Sequence, residues 1–232
     1  MKILALETST EYCSVALWQD GVIIGKSELV GQKHSEILMA MLDSVLQEAG
    51  VKLKQLDGIA YGEGPGSFTG VRIACGVTQG LALGANLPVV GICTLQAVAQ
   101  GSGKDKVIAA LDARMAEVYF AVYEKRAGQW HTICEPCLCL SQSTPAVEGA
   151  DWQGAGSGFA AHGAVLQAHY AGQLSAIDAN CVPQASAIAE LAAPLFAAGK
   201  GQDAALAMPL YLRDKVALKT SERMETSERK SL

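Results

Sequence analysis

The strongest constraint on this chain is a pattern that occurs twice. Ile3-Leu4-Ala5-Leu6-Glu7 is an apolar run ending in an acid, and Ile108-Ala109-Ala110-Leu111-Asp112 repeats it. After the first run come a polar turn, Thr8-Ser9-Thr10, a second apolar strand over 13–18, the hairpin signal Asp20-Gly21 and a third strand over 22–30. After the second run, a short polar link leads to strands over 118–123 and 130–140, with a turn near Gly128 between them. Acid, link and hairpin stay in step, which predicts an internal duplication and two similar lobes facing each other across a cleft. Gly101-Ser102-Gly103 marks the boundary between a lobe over 1–103 and a smaller one over 104–214.

Within the first lobe, His34-Ser35-Glu36 opens a helix, with Ser35 expected as the N-cap. Placed at 100° per residue, Ile37, Leu38, Met39, Met41, Leu42, Val45, Leu46 and Ala49 fill a continuous arc of roughly 200°. One sheet face needs roughly half that width, so the surplus predicts burial against a neighbouring helix or a second chain. Were this face covered within a single folded chain, the argument for a partner would lose that support. A strand over 59–61 then meets Gly62-Glu63-Gly64-Pro65-Gly66-Ser67-Phe68-Thr69-Gly70-Val71-Arg72, with Ser67 or Thr69 as cap of the following helix. This loop lacks the Gly-Lys-Ser/Thr ending of a phosphate-cradling Walker loop and the spacing of a Rossmann loop, so tight packing of helix on sheet is expected. The helix over 68–84 carries Gly76, Gly80 and Gly84 on one stripe. Each glycine costs a helix interior about 1 kcal/mol relative to Ala, and the repetition predicts close backbone approach along that stripe.

Residues 73–103 contain no charge, but Asn86, Pro88, Gln79, Gln96 and several glycines divide them into helix, strand and helix, not a membrane span. With 232 residues, half of them hydrophobic, the chain can bury a sizeable core. A net charge of −5 argues against autonomous nucleic-acid binding. Seven scattered cysteines suit a reducing compartment, and no signal-peptide core precedes Glu7; a cytoplasmic location is expected. Further on, helices are expected over 159–170 and 184–198, then an ordered segment over 209–213 and a mobile polar tail over 215–232.

These stretches carry a family resemblance. Residues 3–18, His34-Ser35-Glu36, Gly64-Pro65-Gly66-Ser67-Phe68-Thr69-Gly70-Val71-Arg72-Ile73, Asp112-Ala113-Arg114, Glu117-Val118-Tyr119 and Pro209-Leu210-Tyr211-Leu212-Arg213 resemble the bacterial TsaB (YeaZ) family. The resemblance implies a duplicated α/β fold of the actin/Hsp70/sugar-kinase (ASKHA) type. It also implies a non-catalytic subunit for threonylcarbamoyl modification of adenosine 37 in tRNA. Such a subunit pairs with a metal-bearing paralogue, TsaD, works with the ATPase TsaE, forms a homodimer when alone, and meets tRNA mainly through the complex. The family's pairing surface lies on first-lobe helices, which here means Ile37, Leu38, Met41, Leu42, Val45, Leu46, Arg72, Gly76, Gly80 and Gly84. On that reading Leu42→Asp or Gly80→Leu abolishes pairing without unfolding the chain. Glu7 stands where many relatives have Asp.

The alternative is a kinase or ATPase of the same fold acting alone, with Glu7, Thr8, Ser9 and Asp112 around a metal–nucleotide. Phosphate loops carry glycines after the acid so that backbone N–H groups reach the anion, whereas Glu7 precedes Thr8-Ser9-Thr10 and Asp112 precedes Ala113-Arg114-Met115. No cofactor is therefore expected for the isolated chain, and ATP or ADP is left to the complex. No metal ligand set is expected either: Leu38, not a second His, follows His34 by one turn. His131, Cys134, Cys137 and Cys139 lack a second ligand pair and are expected as free thiols. Gly154-Ala155-Gly156-Ser157-Gly158 is a weak nucleotide-base candidate, and neither Ser67 nor Ser157 sits in a G-x-S-x-G nucleophile elbow.

Overall fold

A computed structural model describes residues 1–213. The first lobe contains β1 (Lys2–Glu7), β2 (Tyr12–Gln19), β3 (Val22–Leu29), α1 (His34–Glu48), β4 (Gly58–Gly64), α2 (Phe68–Ala85), β5 (Val89–Cys93) and α3 (Thr94–Gly101). The second contains β6 (Lys106–Asp112), β7 (Glu117–Arg126), β8 (Gln129–Leu140), β9 (Trp152–Ala155), α4 (Ser157–Ala161), α5 (Gly163–His169) and β10 (Leu174–Asp178), and α6 (Ala185–Ala197) follows.

The duplication is plain in the topology. One sheet has the order β3-β2-β1-β4-β5 and the other β10-β9-β6-β7-β8, the same arrangement taken from the opposite edge. In each, the acid-ending strand pairs antiparallel with the next strand and parallel with the fourth. The chain thus has the two-lobe α/β fold that the repeat and the resemblance imply.

Alternation along β1 divides the first core. Leu4 and Leu6 point to the face covered by α1 and α2, whereas Ile3 and Ala5 point to the face covered by α6. All four are fully buried, and each large side chain so placed contributes about 1.5–3 kcal/mol. Because α6 packs on β1, β2, β4 and β5, the span 104–214 is not all second lobe; its last helix returns to the first sheet. Ala204 and Ala207 likewise join the core beside α2.

Three local expectations are corrected. Helix α1 begins at His34, because the N–H groups of Glu36 and Ile37 both donate to the Lys33 carbonyl; Ser35 is not the cap. The helix expected over 159–170 is two short ones, broken at His162, whose φ is −128°. Strand β10 was not anticipated, since its residues are mostly exposed and carry no clear alternation. By contrast, the uncharged stretch resolves into α2, β5 and α3 as expected, and no helix among the described residues is long and apolar enough to cross a membrane. The polar tail over 215–232 lies outside the described residues.

Candidate functional site

The glycine loop closes over the first acid. A Cβ on Gly62 would overlap the Glu7 carboxylate, one on Gly70 would overlap the Thr8 carbonyl, and one on Gly66 would come 2.6 Å from Ser9 Cβ. The contact is fastened by hydrogen bonds: Thr8 Oγ1 donates to the Gly70 carbonyl at 2.7 Å, and Ser67 N–H donates to the Ser9 carbonyl at 2.7 Å. Ser67 also caps α2, its Oγ accepting from Gly70 N–H at 3.4 Å. Glu7, Thr8 and Ser9 are consequently buried. Burial pushes the Glu7 carboxyl up to about 7, against the lowering effect of hydrogen bonds from Ser9 and Thr8. Its Oε2 has no hydrogen-bond partner among the described residues.

Asp112 occupies the equivalent position in the second lobe, but its neighbours are its own. Its Oδ1 accepts from Arg114 N–H at 3.0 Å and lies 3.3 Å from His162 Nε2, and Arg114 Nη1 is 3.5 Å from Oδ2. Its backbone N–H donates to Ser157 Oγ at 3.1 Å. The N–H of Ala113 donates to the Glu117 carbonyl. Phosphate loops bind anions through free backbone N–H groups, whereas here the N–H groups of Ser9, Ala113 and Arg114 are already committed. Glu7 and Asp112 share no hydrogen bond or ion pair with each other. Neither turn has the glycines after the acid on which a phosphate loop lays its anion. Among the described residues no group of three or more His, Cys, Asp or Glu is placed to hold a metal ion, and all seven cysteines are free. Gly154 makes room for the Phe159 ring, and Gly156 and Gly158 for Ala110, so these glycines serve internal packing.

The helix pair gives a divided result. Leu38, Met41, Leu42, Val45 and Leu46 are buried within this chain, packed with β1, β2, β4 and α2. Most of the wide apolar arc of α1 is therefore consumed internally, where Val51 and Leu56 join its core cluster and α2 packs beside it. Leu42→Asp is corrected accordingly: it would strike the core, not a docking face. Ile37 is half-buried and Met39 is exposed.

On α2 the outcome is the reverse. Nothing lies within 4 Å of a Cβ placed on Gly76, Gly80 or Gly84. The stripe is open, so among the described residues no backbone makes the expected close approach. Arg72, Gly76, Gly80 and Gly84 form the exposed face with Phe68 and Leu83, and Ile73, Val77 and Leu81 are half-buried beside them.

Sequence reasoning missed how the segment after α6 straps the lobes together. Tyr61 Oη accepts from Met208 N–H at 3.0 Å, Gln79 Nε2 donates to the Ala207 carbonyl at 2.9 Å, and Leu210 N–H donates to the Glu63 carbonyl at 2.7 Å. The strap ends at Arg213, whose Nη2 donates to the Ala113 carbonyl at 2.8 Å and lies 2.6 Å from Glu117 Oε2 in the second lobe. The motif Pro209-Leu210-Tyr211-Leu212-Arg213 marks the strap in sequence, but its partners lie far away along the chain.

Comparison with known proteins agrees with this architecture. Residues 26–220 match the family model described as TsaD: tRNA N6-adenosine threonylcarbamoyltransferase. The tRNA threonylcarbamoyladenosine biosynthesis protein TsaB of Escherichia coli K12 is 39% identical, with 94% of this chain and 97% of that protein covered. The TsaB of Haemophilus influenzae is 37% identical, over 94% and 96% respectively. The solved structure of YeaZ from Pseudomonas aeruginosa superposes with a TM-score of 0.82 at 38% identity, covering 91% of this chain and 99% of that one. With a duplicated sheet, a sealed first-lobe acid and near-complete coverage by such relatives, the chain belongs to the TsaB (YeaZ) family.

Proposed function

We propose that this chain is a non-catalytic subunit in the threonylcarbamoyl modification of adenosine 37 in tRNA, pairing with the metal-bearing paralogue TsaD and serving with the ATPase TsaE. The observation that carries the reading is the open α2 face, where three glycines at one-turn intervals leave the helix backbone bare to an approaching neighbour. Bare glycine stripes let two helices approach closely, and no element among the described residues uses the opportunity. The names of its relatives place them in the biosynthesis of threonylcarbamoyladenosine in tRNA. Alone, the chain hides this face in a homodimer; any ATP or ADP is held by the complex, and the work is cytoplasmic.

The sealed Glu7–Ser9 turn supports the absence of catalysis by the isolated chain, and it weighs against an independent kinase or ATPase. The test is co-expression with the TsaD and TsaE paralogues, then a tRNA-modification assay with each subunit omitted in turn. Modification that proceeds without this chain overturns the proposal. So does calorimetry in which the isolated chain binds ATP with Mg²⁺ and turns it over.

A further inference from the structure

Arg72 is the only charged residue of α2 and lies on its exposed face. Its guanidinium is 3.2 Å from the Phe68 ring centroid and 5.1 Å from that of Tyr211. The two rings are 6.1 Å apart and inclined by 37°. Phe68 stands one helical turn before Arg72, and Tyr211 is carried in by the strap, which Leu210 and Met208 fasten to β4. Among the described residues Arg72 makes no ion pair and no side-chain hydrogen bond.

An arginine held against aromatic faces has lost much of its rotamer freedom before any ligand arrives, while its N–H edge stays available. That edge is a planar fork suited to bidentate pairing with a carboxylate. Resting on that reading of a docking subunit, we infer that Arg72 is the electrostatic anchor of the α2 face and receives an aspartate or glutamate of the partner subunit. Charge complementarity favours a protein carboxylate over an RNA phosphate. Phosphate tracks need several cations, but α2 supplies one, Arg213 is already paired with Glu117, and the chain is net acidic. Phe68 and Tyr211, both exposed and set against the guanidinium, provide the apolar rim that anchoring arginines use at protein interfaces.

The test is titration calorimetry of the full chain with the TsaD paralogue, using wild type, R72Q, Y211L and, as a charge control on the distant β7–β8 hairpin, R126Q. R72Q is expected to weaken binding about 30-fold or more, as truncating a desolvated charge pair does. R126Q stays within about twofold, as exposed pairs do. Unchanged melting temperatures establish that each variant is folded. In a second arm, R72K is treated with a carbodiimide in the complex; the new ammonium is expected to form an amide with an Asp or Glu of the paralogue, located by mass spectrometry. Wild-type affinity in R72Q, or an amide formed only with a second copy of this chain, overturns the inference while leaving the proposed function standing. A loss confined to tRNA affinity overturns it in favour of phosphate. Failure of the wild type itself to bind the paralogue defeats the proposed function first.

Discussion

Gly70 and Thr8 meet backbone to backbone, with the Thr8 carbonyl oxygen where a side chain on Gly70 would have to be. Neither side can yield cheaply, since the Thr8 hydroxyl bond to the Gly70 carbonyl and the Ser67 N–H bond to the Ser9 carbonyl clamp the two segments together. Gly70→Ala is therefore expected to cost about 3 kcal/mol, at the upper end of overpacking effects. A urea midpoint indistinguishable from wild type would show that the loop relaxes freely.

Glu7 makes stability depend on pH in a direction opposite to most carboxylates. Its folded pKa of about 7 exceeds the ordinary 4.5, so between those values the folded chain keeps a proton that the unfolded chain releases. Stability falls as pH rises through that window, by about 3 kcal/mol in all, and the loss is complete above it. Glu63, also raised by burial, acts with the same sign. Glu7→Gln should remove most of the slope, as read from denaturation curves taken between pH 4.5 and 8. A variant with the wild-type slope would exonerate Glu7.

Leu42 and Gly80 separate packing from docking. Leu42 is 2% exposed, so Leu42→Ala is expected to cost about 3 kcal/mol and Leu42→Asp to unfold the chain. Gly80→Leu fills empty space and improves helix propensity, raising stability by about 0.7 kcal/mol. The same change should block co-elution with the paralogue. Co-elution that survives it would remove the α2 stripe from the interface.

Arg213 holds the strap to the second lobe through Glu117 and the Ala113 carbonyl. Arg213→Gln should cost about 1–2 kcal/mol locally, as the loss of a charged hydrogen bond does. Amide exchange over residues 113–117 should accelerate while α1 and β1 keep their protection. Unchanged exchange in that turn would mean that the strap does not restrain it.

Much of the fold was legible because it rests on local patterns. Ile3-Leu4-Ala5-Leu6-Glu7 and its echo at Ile108 announce two strands of the same kind, and Asp20-Gly21 joins β2 to β3 as its turn chemistry requires. Gly199 ends α6 with a φ of 68°, another local signal. The lobe boundary was only half legible: α6 follows the second sheet in sequence, but its alanine-rich face fits the first.

The candidate site divides along the same line. Residue types alone determined that the turns after Glu7 and Asp112 lack a phosphate loop's glycines, and that α2 carries an unusual glycine stripe. Only the tertiary structure decided that most of the wide arc of α1 is spent inside the chain while, among the described residues, the α2 stripe stays open. An amphipathic period records how much of a helix is apolar, but which neighbour covers it depends on segments such as Val51, Leu56 and Ala207, brought in from elsewhere. The stacking of Arg72 between Phe68 and Tyr211 belongs to that second category, because one of its rings comes from the far end of the described chain.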